Sequence, residues 1–338
     1  MAATEIISNK LKNERTSLSP HHHMGTIAYR NFMMSLRSEC TRRLYSFYLL
    51  KYLSYNPKFT NLTLDEILNI NFKDLESTII DTIIKMKQEE QLSTSSTSLL
   101  LASLMHFFSI NDVSLNRKKI SKFIGEHENK FEYRSYTHRE ISKLLSLLDE
   151  RGKAAVLIMT STGMRVGGLV EIRLKHIERH NLNDLKTNFV YKIIVYGSSS
   201  RHKYTTFCSP EAAKAVDEYL YMRKRHGENL NQDPETGNWT PKDTPLIIRQ
   251  FNKTNLPPKV IPVQSTTINS VIISSKLVQL GIRKKAITTR FTGVNARGRY
   301  KHELHPCHSL RIFAITQMQR AKVDKTIREN ACRSFNRS

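Results

Sequence analysis

Two apolar segments joined by a glycine-containing turn constrain the fold of this chain most strongly. Residues 154–159 (Ala-Ala-Val-Leu-Ile-Met) are apolar on every side, which is typical of a helix buried inside a domain. The turn contains Gly163 and Arg165, and an apolar run over residues 166–172 predicts a second packed helix. Arg165 is therefore predicted to lie at the buried beginning of that helix. A buried guanidinium needs an anion, and its planar fork suits two oxygens of a carboxylate or phosphate.

A second basic element lies far downstream of this turn. In the sequence Cys-His-Ser-Leu-Arg, His308 and Arg311 are three residues apart and share one face if the segment is helical. Taken alone, Arg165 is more simply explained by a structural salt bridge. Two guanidiniums and an imidazole that converge on one point would instead form a phosphate pocket.

The net charge of the chain predicts a polyanionic partner. The chain has 53 Lys and Arg against 30 Asp and Glu, a net charge of +23, which is typical of nucleic-acid binding. No apolar run approaches the roughly 18 residues of a transmembrane helix, so a membrane partner is not predicted. The four Cys residues lack metal-ligand spacing and no signal peptide precedes them. We therefore expect reduced thiols in the cytoplasm and neither a metal nor another cofactor.

Composition and periodicity divide the chain into four parts. Residues 1–23 are polar and are predicted to be a disordered tail. Helical periodicity over residues 24–130 predicts an all-helical domain. Residues 131–136 are predicted to be a linker, and residues 137–338 are predicted to be a second domain.

The second domain is predicted to be mainly helical with a small antiparallel sheet. An apolar helical stripe begins at Ile141, behind a capping box. A β-branched and aromatic run over residues 189–196 is broken by Gly-Ser-Ser-Ser and resumes at residues 204–208, which predicts a β-hairpin. Residues 227–263 are rich in Pro, Asn and Asp and are predicted to be a surface excursion with apolar anchors.

These motifs resemble those of the tyrosine recombinases, the phage-type and Xer-type integrases. Thr-Gly-Met-Arg ending at Arg165, a basic hairpin, and His-x-x-Arg ending at Arg311 follow one another in the family's order. The phrase Tyr-Thr-His-Arg-Glu-Ile from Tyr136 is similar to archaeal and proviral members. The resemblance covers about residues 136–329 and, more weakly, the domain before them. It implies an all-helical core-binding domain followed by an α+β catalytic domain.

The resemblance also implies a chemistry, which is DNA strand breakage and rejoining through a phosphotyrosine without metal or nucleotide. Arg165 and Arg311 match the two phosphate-binding arginines, and His308 matches the residue that contacts the same phosphate and assists proton transfer. Lys203 on the hairpin matches the general acid, with Arg201 as the alternative. An exposed lysine that contacts only backbone phosphate explains Lys203 equally well. The expected partner is double-stranded DNA, and a homo-oligomer on DNA stays open.

The chain departs from the family pattern in two places. Gly168 stands where many members have Glu, so one partner of the first arginine is missing. The family's Gly-His-Ser turn and nucleophilic tyrosine belong downstream of Arg311, yet only 27 residues follow Arg311 and no Tyr follows Tyr300. The polar residues 330–338 can be encoded by a DNA sequence that, after its first base is removed, translates as Met-Leu-Ala-Gly-His-Ser-Thr-Gly. This shifted translation contains the missing Gly-His-Ser. We therefore expect these residues to be a frameshift product, poorly packed and exposed.

The sequence thus predicts a site-specific recombinase or integrase that binds DNA but, as this truncated chain, does not cleave it. The alternative is a non-catalytic DNA-binding protein that uses the recombinase fold as a clamp and has its natural end at Ser338. A type IB topoisomerase shares the chemistry but would also need the missing tyrosine.

Overall fold

The computed structural model describes residues 25–59, 61–90, 92–126, 133–183, 185–249, 260–283 and 302–332. These residues fall into two compact units, the first within residues 25–126 and the second within residues 133–283 and 302–332. The predicted tail at residues 1–23 lies outside the described residues.

Within its described residues the first unit is all-helical. Its helices are α1 (Ile27–Ser35), α2 (Glu39–Tyr55), α3 (Leu64–Leu68), α4 (Phe72–Gln88), α5 (Thr94–Ile110) and α6 (Arg117–Ser121), with a 3-10 turn at Pro57–Phe59. Thr63 and Glu66 form a reciprocal capping box that fixes where α3 begins. Aromatic side chains fill the core, where Phe32 packs edge-on against Phe107 with ring centroids 5.5 Å apart.

The second unit combines helices with an antiparallel sheet, and the predicted fold class is confirmed. Its elements are α7 (His138–Ser146), α8 (Glu150–Thr162), α9 (Val166–Glu171), a 3-10 turn (Leu174–His176), β1 (Ile177–Leu182), β2 (Leu185–Val195), β3 (Tyr204–Phe207), α10 (Pro210–Arg225), β4 (Asn231–Gln232), β5 (Trp239–Thr240), α11 (Ser265–Thr267), a π-helical stretch (Ile268–Ser274), α12 (Ser275–Gln279), α13 (His308–Arg320) and α14 (Lys325–Cys332).

The main sheet has one strand more than the sequence predicts. The expected hairpin is β2 and β3, and β1 pairs with the other edge of β2, so the order is β1-β2-β3. Ile177 of β1 is buried and lies opposite Ile193 of β2. The rest of β1 reads Glu-Arg-His-Asn-Leu and lacks the alternating apolar residues that identify a strand. Its pairing with β2 therefore depends on the tertiary fold.

Helix α8 is the buried helix that the sequence predicts. Ala154, Val156, Ile158 and Met159 are fully buried in the core of the second unit. The helix packs between α10 and α13. It ends at Gly163, whose left-handed φ of 65° is one that residues with a side chain rarely adopt. The turn that carries Arg165 is thus fixed at the end of a central helix.

A buried carboxylate on α10 helps to anchor the excursion after this helix to the core. Asp217 accepts a hydrogen bond from the indole Nε1 of Trp239 at 2.8 Å and one from the hydroxyl of Tyr191 at 2.5 Å. Arg179 of β1 completes the set with Nη1 2.9 Å from the second carboxylate oxygen. Because these groups come from β1, β2, α10 and β5, Asp217 ties the excursion to the sheet.

Residues 133–136 of the predicted linker pack against the segment that precedes α13. The backbone N–H of Arg134 donates to the carbonyl of Glu303 at 2.8 Å. The hydroxyl of Tyr136, a buried residue, donates to the carbonyl of Pro306 at 3.1 Å. These residues therefore support the segment that leads into His308.

The last helix extends further than the sequence predicts. Asp324 accepts from the backbone N–H of Thr326 at 2.7 Å and so fixes the start of α14. We expected no regular pattern from residue 330 onwards, whereas α14 continues to Cys332. The side chains from residue 330 onwards lie outside the described residues, so the expected exposure of residues 330–338 stays a prediction.

Candidate functional site

Arg311 holds the turn between α8 and α9 directly. It lies in the first turn of α13, its side chain is buried, and its Nη1 atom donates a hydrogen bond to the carbonyl oxygen of Gly163. Gly163 is two residues before Arg165. One hydrogen bond thus brings together the two arginine-bearing segments that the sequence singles out.

Arg165 is at the surface, and the prediction of a buried position is wrong. It is the N-cap residue of α9, with extended backbone angles (φ −75°, ψ 149°), and its side chain is exposed. The helix itself buries Gly168 and Leu169. A capping residue precedes the first helical turn, so its side chain need not follow the buried face. Its exposed position allows the guanidinium to meet an anion from solvent.

His308 is the first residue of α13, and its side chain is exposed. Partial burial, and then the positive charges of Arg311 and Arg165, lower the pKa of His308 below its ordinary value. Both arginines are therefore close enough to act on this imidazole. At neutral pH the ring is uncharged and has one N–H to donate.

Two aromatic neighbours surround His308. The ring centroid of Tyr133 lies 5.8 Å from that of His308 and 5.2 Å from that of His305, both edge-on. The backbone N–H of His308 donates to Nδ1 of His305 at 2.9 Å. Burial, followed by the charges of His308 and Arg283, lowers the pKa of His305. This cluster fixes the start of α13.

Lys203 and Arg201 are exposed residues of the connection between β2 and β3. The backbone N–H of Lys203 donates to the carbonyl of Ser199 at 3.2 Å, which closes this turn. Burial and the charges of two other basic residues lower the pKa of His176, and the charge of Lys203 lowers it further. The lysine is therefore close to that imidazole. The idea that Lys203 acts with the other three residues stays a prediction.

Tyr196, which the sequence analysis missed, lies at the same end of the sheet. Burial and the charge of Glu171 raise the pKa of Tyr196, whereas the charges of Arg165 and Arg311 lower it, so its phenol lies within electrostatic range of all three groups. The consecutive residues Gly167 and Gly168 are a clue in the sequence to this contact. Two glycines at the start of a helix indicate close approach by another element.

Comparison with solved structures shows what fold surrounds this site. The XerH site-specific recombinase bound to palindromic difH substrate, a post-cleavage complex, aligns with a TM-score of 0.55 at 16% identity, over 88% of this chain and 74% of that chain. The chain has the tyrosine-recombinase fold. The Tn1549 transposon integrase in complex with transposon right end DNA aligns with a TM-score of 0.52 at 13% identity, over 92% of each chain. A lambda integrase dimer bound to a COC' core site aligns with a TM-score of 0.52 at 13% identity, over 90% of each chain.

The comparisons by sequence found no relative. No protein-family model and no curated protein matches it. The tyrosine-recombinase fold of the chain therefore rests on its three-dimensional arrangement.

Two further findings concern the described part of this tyrosine-recombinase fold. Across those residues, no cluster of three or more His, Cys, Asp or Glu side chains is arranged to hold a metal ion. In the same ranges, no helix combines the length and apolar character needed to span a bilayer.

Proposed function

We propose that this chain belongs to the tyrosine recombinase family and binds double-stranded DNA, with one phosphate held between Arg165 and Arg311. The hydrogen bond from Arg311 to Gly163 carries the proposal, because it joins two segments 148 residues apart in sequence at the turn that bears Arg165. The lowered pKa of His308, to which the charges of Arg311 and Arg165 contribute after burial, supports the same grouping.

The chemistry of these side chains suits a phosphodiester. Two guanidiniums can each donate to the non-bridging oxygens and offset their charge. The uncharged imidazole of His308 supplies a third donor to the same group. Because Arg311 is buried and already hydrogen-bonded, its position is set before the phosphate arrives. We assign Lys203, on the neighbouring hairpin, the role of a cation at the rim of the site.

Double-stranded DNA is the partner that the charge and the fold favour together. The net charge of +23 favours a polyanionic partner. XerH bound to difH and lambda integrase bound to a core site are DNA complexes, and the latter is a dimer. We propose that this chain also assembles as a homo-oligomer on DNA in the cytoplasm, and that it is of the archaeal or proviral type, as the phrase from Tyr136 suggests.

For the 338-residue polypeptide we propose DNA binding without cleavage. The sequence contains no Tyr after Tyr300, so no phenol follows Arg311 to attack the phosphate. The alternative is a non-catalytic DNA-binding protein with the same fold. This alternative also predicts that the polypeptide binds DNA without cleaving it. A covalent protein–DNA adduct formed by this chain on a nicked duplex would refute both.

The salt dependence of duplex binding tests the nucleic-acid part. Neutralising six to ten phosphates is expected to lower affinity by about 10³–10⁵ between 50 and 200 mM salt. Fluorescence anisotropy with a labelled duplex measures this slope. A flat slope, or preferential binding to anionic lipid vesicles, would remove DNA as the partner.

The local site needs a separate test, because Arg165→Ala should weaken DNA binding only slightly when many other phosphate contacts remain. Inorganic phosphate is the probe, and its binding is followed through the NMR signal of His308. We expect Arg165→Ala to abolish the phosphate-dependent shift. Arg320→Ala removes an exposed guanidinium from the far end of α13 and should leave the shift intact. Equal effects of the two substitutions would contradict the shared site.

A further inference from the structure

Tyr196 occupies an unusual position at the end of β2. It is the first residue after the strand, and its φ of 54° lies in the left-handed region that non-glycine residues rarely adopt. Its ring is partly buried and packs against the core of the second unit. The structure therefore fixes both the backbone and the ring of this residue.

The hydroxyl end of the ring lies on the first turn of α9. A Cβ atom built on Gly167 would be 3.6 Å from the hydroxyl oxygen, and one built on Gly168 would be 3.5 Å from Cζ. A Cβ atom on Gly168 would also be 2.6 Å from Cγ1 of Val195, which is closer than real Cβ atoms approach other atoms. The absence of side chains at both glycines thus lets the end of β2 press onto this turn.

The same turn is capped by Arg165, and Arg311 holds the preceding turn through Gly163. Burial and the charge of Glu171 raise the pKa of Tyr196 above its ordinary value, although the charges of Arg165 and Arg311 and the amide of Gly168 lower it. The phenol is therefore neutral at physiological pH. A neutral hydroxyl at this position adds no charge of its own to the site.

We propose that the hydroxyl of Tyr196 is a positioning group that holds the first turn of α9 and thereby keeps Arg165 directed toward the anion shared with Arg311. This inference deepens the proposed function and rests on it. Arg165 is exposed, and a long exposed side chain loses conformational freedom when it binds. Fixing the residue from which it projects reduces that loss before the phosphate arrives.

The pKa of His308 reports the position of the Arg165 charge, and a change in stability alone would not alter it. Because that charge lowers the pKa of His308, displacing the guanidinium should raise the pKa toward its ordinary value. The pKa is measured by NMR titration of protein with labelled histidines, and His308→Gln assigns the signal. Arg165→Ala defines the full upward shift.

Tyr196→Phe is the decisive variant, because it removes the hydroxyl and keeps the ring. We expect it to reproduce a substantial part of the upward shift and to weaken binding of inorganic phosphate about ten-fold, the loss typical of a displaced charge-assisted hydrogen bond. Tyr204→Phe is the matched control, since Tyr204 is a tyrosine of the same hairpin whose ring centroid lies 6.4 Å from that of Tyr196. It should change neither quantity.

Each contrary result has a distinct meaning. If Arg165→Ala shifts the pKa of His308 and Tyr196→Phe does not, the inference is overturned and the proposed site stands. The inference is also overturned if Tyr204→Phe acts as strongly as Tyr196→Phe, because the hairpin as a whole would then be responsible. If Arg165→Ala leaves the pKa unchanged, Arg165 and His308 do not share a site, and the proposed function fails together with the inference.

Discussion

Adding a single methyl group at Gly168 should separate the end of β2 from α9. The new Cβ would stand 2.6 Å from Cγ1 of Val195, a fully buried side chain, so one of the two must move. Overpacking of this kind costs about 1–3 kcal/mol. Alanine in a helix is favoured over glycine by about 1 kcal/mol, which offsets part of that cost. We expect Gly168→Ala to lower the free energy of unfolding by about 1 kcal/mol.

The compensating change is Val195→Ala, which removes the atom that the new methyl group meets. Alone it deletes two buried carbons and leaves a cavity, at a cost of about 2–3 kcal/mol. In the double variant the methyl group of residue 168 enters the vacated space, the clash disappears and the helix preference remains. The double variant should therefore be more stable than the sum of the single effects predicts, by about 2 kcal/mol.

Urea unfolding followed by tryptophan fluorescence measures this coupling. Trp239 is the single tryptophan of the chain and is buried in the second unit, so its signal reports that unit alone. Single effects that add to within about 0.5 kcal/mol would show that Gly168 and Val195 do not meet. The close approach on which the role of Tyr196 depends would then be refuted.

Three further predictions concern buried or charged groups. Asp217→Ala should lower the free energy of unfolding by about 3–5 kcal/mol in the same urea assay, because it removes the acceptor of two buried donors, on Tyr191 and Trp239, and the carboxylate partner of the partly buried Arg179. A hydrogen bond from Arg134 lowers the pKa of Glu140 to about 2, below its ordinary value of 4.5. The ionised Glu140 therefore stabilises the fold fully above pH 4.5, and this stabilisation is lost as the pH falls toward about 2. Glu140→Gln should therefore make the free energy of unfolding, measured with urea, less dependent on pH across this range. Arg311→Lys should weaken phosphate binding by about ten-fold or more, measured by NMR titration, because a lysine cannot bond to Gly163 and also present a planar fork.

Local patterns in the sequence were enough to predict the central helix and the hairpin. An all-apolar segment has few stable places other than a core, and a glycine after it ends the helix. Strand β1 could not be predicted, because its polar residues form a strand only through pairing with β2. The apolar run predicts that the helix is buried but says nothing about the residue that caps it. The exposure of Arg165 could therefore not be predicted.

Tyr196 was missed for a different reason. Its contact with α9 joins two elements across the tertiary fold, and no periodicity within either element records it. The pair Gly167 and Gly168 was a usable clue, since both lie where a neighbouring element approaches the backbone. The departure at Gly168 was interpreted as the loss of a partner for Arg165, whereas the structure places an aromatic ring against that glycine.

The long sequence separation across the site has a consequence for folding kinetics. The contacts from Arg311 to Gly163 and from Tyr136 to Pro306 close loops of 148 and 170 residues. Closing loops of this length costs entropy before the contact returns any energy, so such contacts tend to form late. During synthesis the turn after α8 emerges long before α13 exists, and the partly made unit cannot assemble the site. Arg311→Ala should therefore accelerate unfolding and leave the refolding rate nearly unchanged in stopped-flow experiments.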